Sequence, residues 1–428
     1  MVKRLLKVFL VASLLLGLGV CGLFASTGLA ATQPVVLVIR TGPEADGLRV
    51  VAKEFTKETG IPVQINELGR QGYEYTITTQ LVAGTDAFDV AFYPGWLIGE
   101  VVQAGALEPL NSFIAKSDPK KFDRDDLLVV YGLGDKIYAL PTDVSVHFLY
   151  YRKDLIPDPP DTWDEYFEVA KKFTRSLNPK SPTAFGAGFS AHAGEEGPKI
   201  FSSVMWSMGG WIFDEKGNVG IDSPGAIAAG EYYVKLAKAG VISPDILSWS
   251  YPNVLDAMRA GTIAMAGPFW NAAYAEILNS DSPYRNSFAV TLVPGVKQKD
   301  GSILRTPFWH GWTLVMNAQS RRKQLAWEFL SYATGKHGGA IYARSGGGTP
   351  ARRSVLGNPD LQKIRPEFAL VLKTLDIARC EPVMPFYSSY SDAMNVAISQ
   401  MLTGKAAPKD ALREAGAKIR ELLKKSGK

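Results

Sequence analysis

Between Val35 and Trp96 the apolar residues switch repeatedly between two periods, and that switching restricts the fold more than any other part of the chain. Val35 to Arg40 is a short β-branched run, the pattern of a buried strand. Leu48, Val51, Ala52 and Phe55 follow at helical spacing, and the pattern stops at Gly60, a helix-ending residue. Val63 to Asn66 alternates as a second strand, Tyr73 to Ala83 reads as a helix, and Phe88 to Phe92 is a third strand that runs into Tyr93-Pro94-Gly95-Trp96. A strand–helix–strand–helix–strand order implies right-handed parallel crossovers and a sheet covered by helices on both faces. Ligands of such sheets gather at the carboxyl ends of the strands. Here those ends are Thr41 to Glu44 and Tyr93 to Trp96.

With 428 residues, the chain is too long for one hydrophobic core, and two domains are expected. The junction falls in Leu140 to Ile156. Pro141 and Thr142 break one apolar run, after which Val144, Val146, Phe148 and Tyr150 recur at period two, with Asp143, Ser145 and His147 on the other face. The second half repeats the plan. Thr162-Trp-Asp-Glu165 has the form of a capping box, Ala184 to Phe189 is an apolar strand, and Tyr251 to Gly261 is a helix. Ile263 to Ala266 reads as a strand ending in a Gly267-Pro268-Phe269-Trp270 loop. Ser287 to Pro294 is a strand and a candidate crossover, Thr313 to Asn317 is another strand, and Gly346 to Pro350 has no side chain to pack until Thr349.

Charge and cysteine content exclude several classes. Of 47 basic residues against 42 acids, three (Lys3, Arg4 and Lys7) lie at the very start. The remainder is nearly balanced, with no basic run, so no nucleic-acid partner is expected. Residues 1–31 read as a signal peptide: a basic start, an apolar stretch from Val8 to Ala25, and small residues for cleavage after Ala30 or Ala31. Lipidation at Cys21 is the competing reading, disfavoured by the bulk of Val20. A periplasmic or extracellular protein follows. Cys21 and Cys380 are the only cysteines and four histidines are scattered, so neither a metal site nor a cofactor is expected. No serine-nucleophile elbow, His-Glu-x-x-His or phosphate-binding loop occurs, which argues against an enzyme.

The segments Ile137-Tyr-Ala-Leu-Pro141, Leu149-Tyr-Tyr-Arg-Lys-Asp-Leu155, Pro159-Pro-Asp-Thr-Trp-Asp-Glu165 and Ala260 to Trp270 occur in this order. Ala326-Trp-Glu-Phe-Leu330, Gly348-Thr-Pro-Ala-Arg352 and Met384-Pro385 follow. Together they resemble the family 1 extracellular solute-binding proteins, the sugar-binding components of bacterial ABC importers. The resemblance implies an α/β, two-lobe periplasmic-binding-protein fold with three interlobe crossings and a central ligand cleft. Crossings would lie near Pro141–Ser145, Val293–Val296 and Gly348–Ala351. The lobes would be residues 32–142 plus 296–348 and residues 143–295 plus 349–428. It further implies a monomer that captures a carbohydrate by hinge closure and delivers it to the membrane permease subunits of an ABC importer.

Sugar hydroxyls need paired donors and acceptors, and sugar C–H faces need flat apolar surfaces. Trp96, Trp270 and Trp312 lie beside Gly or Pro at loop or strand ends and are candidates for such surfaces, against the alternative of packing on a sheet edge. The resemblance adds Tyr387 and Tyr390 as stacking aromatics and Glu44 as a first-loop acid. Asp143 is the leading polar candidate. His192, Glu195 and Glu196 occupy a Gly-bounded loop, of which one is expected to face ligand. Arg352 either lines the cleft or pins a crossover. His147 and His310 read as structural. Two alternatives stay open: a polyol or glycerol phosphate ester in the same fold, served by Arg40, Arg305 or Arg352, and a secreted glycoside hydrolase using Asp143 with Glu195.

Overall fold

The structure, a computed structural model, describes residues 33–426. The signal-peptide reading and Cys21 fall outside the described residues.

Among the described residues, eleven of thirteen strands form two main sheets. β1 (Val35–Arg40), β2 (Val63–Leu68), β3 (Val90–Pro94), β4 (Tyr131–Leu133) and β5 (Lys136–Pro141) come first. β6 (Ser145–Arg152), β7 (Phe185–Gly188), β8 (Ile263–Trp270) and β9 (Phe288–Leu292) follow. β10 (Val296–Lys297) and β11 (Ile303–Leu304) make a small hairpin, and β12 (Trp309–His310) and β13 (Trp312–Met316) complete the set. The first sheet runs β2-β1-β3-β13-β5-β4. β1 pairs in parallel with β2 and β3, as the crossover order requires. β13 is inserted antiparallel between β3 and β5. In the second sheet β6 pairs with β12, β8 and β9, and β7 flanks β8.

The helix after β1, α1 (Pro43–Thr59), starts inside the stretch read as a loop. Pro43 is its first residue, where the missing N–H costs nothing and the fixed φ favours the first turn. Gly60 ends it in the left-handed conformation (φ 73°). The capping box at Thr162 and Glu165 is present. Val144 and the even-numbered face of β6 (Val146, Phe148, Tyr150) are buried with Met258, Phe269, Leu356 and Phe368 in a core belonging to the second sheet.

Two expectations are corrected. The Gly267–Trp270 loop is the end of strand β8, because Trp270 and Phe269 pair with His147 and Phe148. Pro268 is accommodated at a register irregularity, where two residues oppose one and no ladder N–H is needed. The crossing expected at Val293–Val296 lies instead at Gly311, since β12 still pairs with β6 of the second sheet and β13 with β3 of the first. Residues 296–310 therefore lie on the second-sheet side of that crossing.

The three crossings touch. Val144 N donates to Thr349 O at 2.8 Å, and Asp143 bridges to Pro350. Gly311 approaches so closely that a Cβ there would stand 2.4 Å from the Asp143 carbonyl oxygen. Asp143, Gly311 and Thr349 thus form one narrow waist between the sheets.

Candidate functional site

A cavity of about 680 Å³ opens between the two sheets, with the waist as its floor. That volume is ordinary for a small-molecule site. Arg40, Glu44, Glu74, Trp96 and Trp312 line it from the first sheet and its loops. Glu195, Glu196, Tyr251, Trp270 and Glu276 line it from the second, and Asp143 and Thr349 from the crossings. The carboxyl-end rule for parallel strands places the first group: Arg40 ends β1, and Trp96 follows β3.

Seven of the eleven residues singled out from sequence border this cavity: Glu44, Trp96, Asp143, Glu195, Glu196, Trp270 and Trp312. Four do not. Arg352 is 1% exposed and donates to the carbonyls of Thr334 (2.6 Å), Asp123 (2.7 Å) and Phe122 (2.7 Å), so it pins the third crossing. Tyr387 and Tyr390 are buried and pack on each other at 5.9 Å. The His192 side chain is exposed, off the cavity wall. Its loop does bring both Glu195 and Glu196 to the cavity, where only one of the three residues was expected.

The tryptophans differ from free stacking platforms. Trp96, Trp270 and Trp312 are only 4, 6 and 5% exposed. Trp312 stacks on Phe92 at 4.7 Å and carries the Arg40 guanidinium 3.8 Å from its ring centroid. Trp96 holds the Lys199 ammonium 3.4 Å from its ring centroid. Tyr251, which sequence reading placed only in a helix, is less buried, stacks on Phe269 at 5.0 Å and donates its hydroxyl to Glu276 at 2.7 Å. Its position as first residue of a helix opening toward the strand ends was the available signal.

Arg40 is the organising charge. It bonds Glu44 at 2.6 Å and lies 3.7 Å from Glu74. Burial opposes its charge, yet Glu44, Glu74 and Glu195 together hold its pKa above the usual value. Its Nε and the second oxygen of Glu44 are buried without a partner among the described residues. Burial pushes the Asp143 carboxyl up to about 7, with nearby Glu44 adding to the shift against the Trp312 N–H and Arg40. Burial and the neighbouring Glu195 likewise push Glu196 up to about 7. These are hydrogen-bonding groups held rigidly around an apolar-edged space. Among the described residues no group of three or more His, Cys, Asp or Glu is arranged to hold a metal ion.

Residues 41–340 match the family described as bacterial extracellular solute-binding protein. The chain belongs to this family. Solute-binding proteins of this kind serve ABC transporters, and the chain's relatives and structural neighbours are binding proteins rather than enzymes. The hydrolase alternative is therefore set aside. The chain is 26% identical to the galactooligosaccharide-binding protein of Bacillus subtilis, with the whole of both chains covered. It is also 26% identical to a probable amino-acid ABC transporter periplasmic-binding protein of Sinorhizobium fredii, covering 92% of this chain and 90% of that one. Among solved structures, maltose-bound MalE3 of T. maritima superposes with a TM-score of 0.79 at 24% identity, over 91% of this chain and 99% of the other. A ribitol complex of an ABC transporter solute-binding protein from Agrobacterium radiobacter K84 gives 0.78 at 23%, over 92% and 99%. At those identities the likeness concerns the two-lobe α/β fold.

Proposed function

We propose that this solute-binding protein captures a neutral polyhydroxylated solute, a mono- or oligosaccharide, by closing its two lobes, and delivers it to the permease of an ABC importer. On this reading it is exported, released by cleavage after Ala30 or Ala31, and acts as a monomer. Residues 33–142 with 312–348 and residues 143–310 with 349–426 then move as lobes about the waist.

The observation that carries the reading is the pairing of charge inside the cavity. Arg40 is matched by Glu44 and Glu74 on the cavity wall, Arg259 lies 4.0 Å from Glu276 on the same wall, and Arg365 is paired with Glu367 behind it. Paired ions in a water-poor space offer strong donors and acceptors without a net field, which suits hydroxyls. Arg305 and Arg352, considered for a phosphate ester, both lie off the cavity wall. Arg70 is the lining arginine with no ion pair among the described residues, too little for a phosphate on its own. A polyol remains the second ligand class, favoured by the same charge balance.

A thermal-shift panel of mono-, di- and trisaccharides, polyols, glycerol phosphates and amino acids tests this. A sugar or polyol at 100 times its Kd stabilises by about 2.7 kcal/mol. A shift with amino acids alone, or with phosphate esters alone, overturns the assignment.

A further inference from the structure

We propose that His310 is a fixed, neutral hydrogen-bond donor in the cavity wall, its tautomer set by Lys199, so that the captured solute must offer an acceptor oxygen at that point. The inference deepens the reading of the cavity as the capture site and rests on it.

The imidazole is clamped between indoles from the two lobes. It stacks on Trp96 at 4.4 Å and on Trp270 at 4.2 Å, each at an interplanar angle of 22°. Covered on its faces, the ring has only its edge for polar contacts. On that edge Nδ1 lies 3.3 Å from Lys199 Nζ. An ammonium group has three donors and no acceptor, so Nδ1 must bring its lone pair and the proton must sit on Nε2. Lys199 is itself held by an ion pair with Glu195 and by the Trp96 ring beneath it. With a side chain only 2% exposed, it has little freedom to release Nδ1.

A cationic imidazole is opposed from every side. Burial, then Lys199, His147 and Arg40, all push His310 well below the usual histidine range. Two acids stand near this cluster: Glu195 is engaged by Lys199, and Glu381, whose carboxyl burial pushes up to about 7, lies near the same lysine.

His147, on the neighbouring strand, shows the contrast. Its Nδ1 is 2.8 Å from Ser203 Oγ, and its Nε2 is sealed in the protein with no partner. Its ring meets Trp270 edge-on at 4.1 Å. His310 borders the cavity, and its Nε2 is neither bonded to a described residue nor among the sealed atoms. An N–H fixed in plane and direction, with no partner, reads the ligand by rejecting any group that cannot accept a hydrogen bond.

The test has two arms. With four histidines in the chain, long-range 15N–1H spectra of the unliganded protein resolve each ring, and His310→Phe assigns the signal. The expected pattern for His310 is a neutral ring protonated at Nε2 from pH 5 to 8, with that proton in exchange contact with water. In Lys199→Met the fixed tautomer is lost. A ring protonated at Nδ1, or cationic at pH 7, overturns the proposal in the wild-type protein alone, so it does not depend on the variant folding. In the second arm, maltose, ribitol and a galactooligosaccharide are titrated calorimetrically. For a probe that binds, His310→Phe is expected to lose about tenfold or more in affinity, while His310→Gln, whose amide N–H replaces Nε2–H, stays within about threefold of wild type. Equal losses in both variants overturn the donor role. If no probe binds, the carbohydrate reading fails, and the tautomer result still decides whether His310 is the fixed donor.

Discussion

Asp143 Oδ1 accepts the backbone N–H of Trp312 at 2.9 Å, so the carboxylate of the first crossing is fastened just beyond the second. In the opposite direction, the Trp312 carbonyl accepts from the N–H and hydroxyl of Thr142 at 2.9 and 3.0 Å. The waist is a hydrogen-bonded unit, and its one ionisable member also borders the cavity.

That arrangement gives unliganded stability a pH dependence. The unfolded chain releases the Asp143 proton near 3.8, whereas the folded protein holds it until about 7. The folded state therefore binds the extra proton between those values, and stability falls as pH rises through them. One group contributes at most about 1.4 kcal/mol per pH unit. Asp143→Asn, which keeps an oxygen for Trp312 N–H, should flatten that part of the profile. Urea unfolding at pH 5 and pH 8 measures it, and an unchanged slope in the variant contradicts the assignment.

Arg40→Lys should weaken solute binding by about tenfold or more, near 1.4 kcal/mol. A lysine cannot lie flat on Trp312 while bonding Glu44 and approaching Glu74. Calorimetric titration with a solute identified in the thermal-shift panel checks it, and an unchanged Kd would show that the guanidinium plane is dispensable.

Arg352→Ala should separate stability from binding. It strips charge-assisted hydrogen bonds from three carbonyls in a buried place and should cost about 3 kcal/mol or more of unfolding free energy. Because Arg352 does not reach the cavity, Kd should stay within about twofold where the variant remains folded.

Phe148→Ala removes a fully buried ring from the second-lobe core. A loss of about 3–5 kcal/mol is expected in denaturant unfolding. A loss below about 1 kcal/mol would mean that this core face is poorly packed.

The sequence was most legible where contacts are local. The strand–helix alternation from Val35 to Trp96, the Thr162 capping box and the buried face of β6 all follow from spacing within a few residues. It was least legible where partners are distant. β13 reads as a strand, but nothing in Trp312 to Met316 says that it enters between β3 and β5. The Gly267-Pro268 pair has turn chemistry, and only the bulge opposite Leu149 lets it sit in a strand. Among the site residues, Trp96 and Asp143 were found because Gly and Pro punctuate their surroundings. His310 reads as structural in the sequence because the residues that flank its ring, Trp96 and Trp270, are far away along the chain. Arg352 was ambiguous for the same reason: the three carbonyls it binds belong to two other segments.

The place of β13 also sets a clock on maturation. Until residue 316 has been made, the first sheet consists of two strand groups, β2-β1-β3 and β5-β4, with the central seat empty. Neither group can close over its apolar face, although both emerge early from the ribosome. The pairs that seat β13 against β5 span more than 170 positions, as between Thr313 and Pro141, and pairing at such separation is slow to form. The same strand that completes the first sheet therefore withholds it until nearly three quarters of the polypeptide exists.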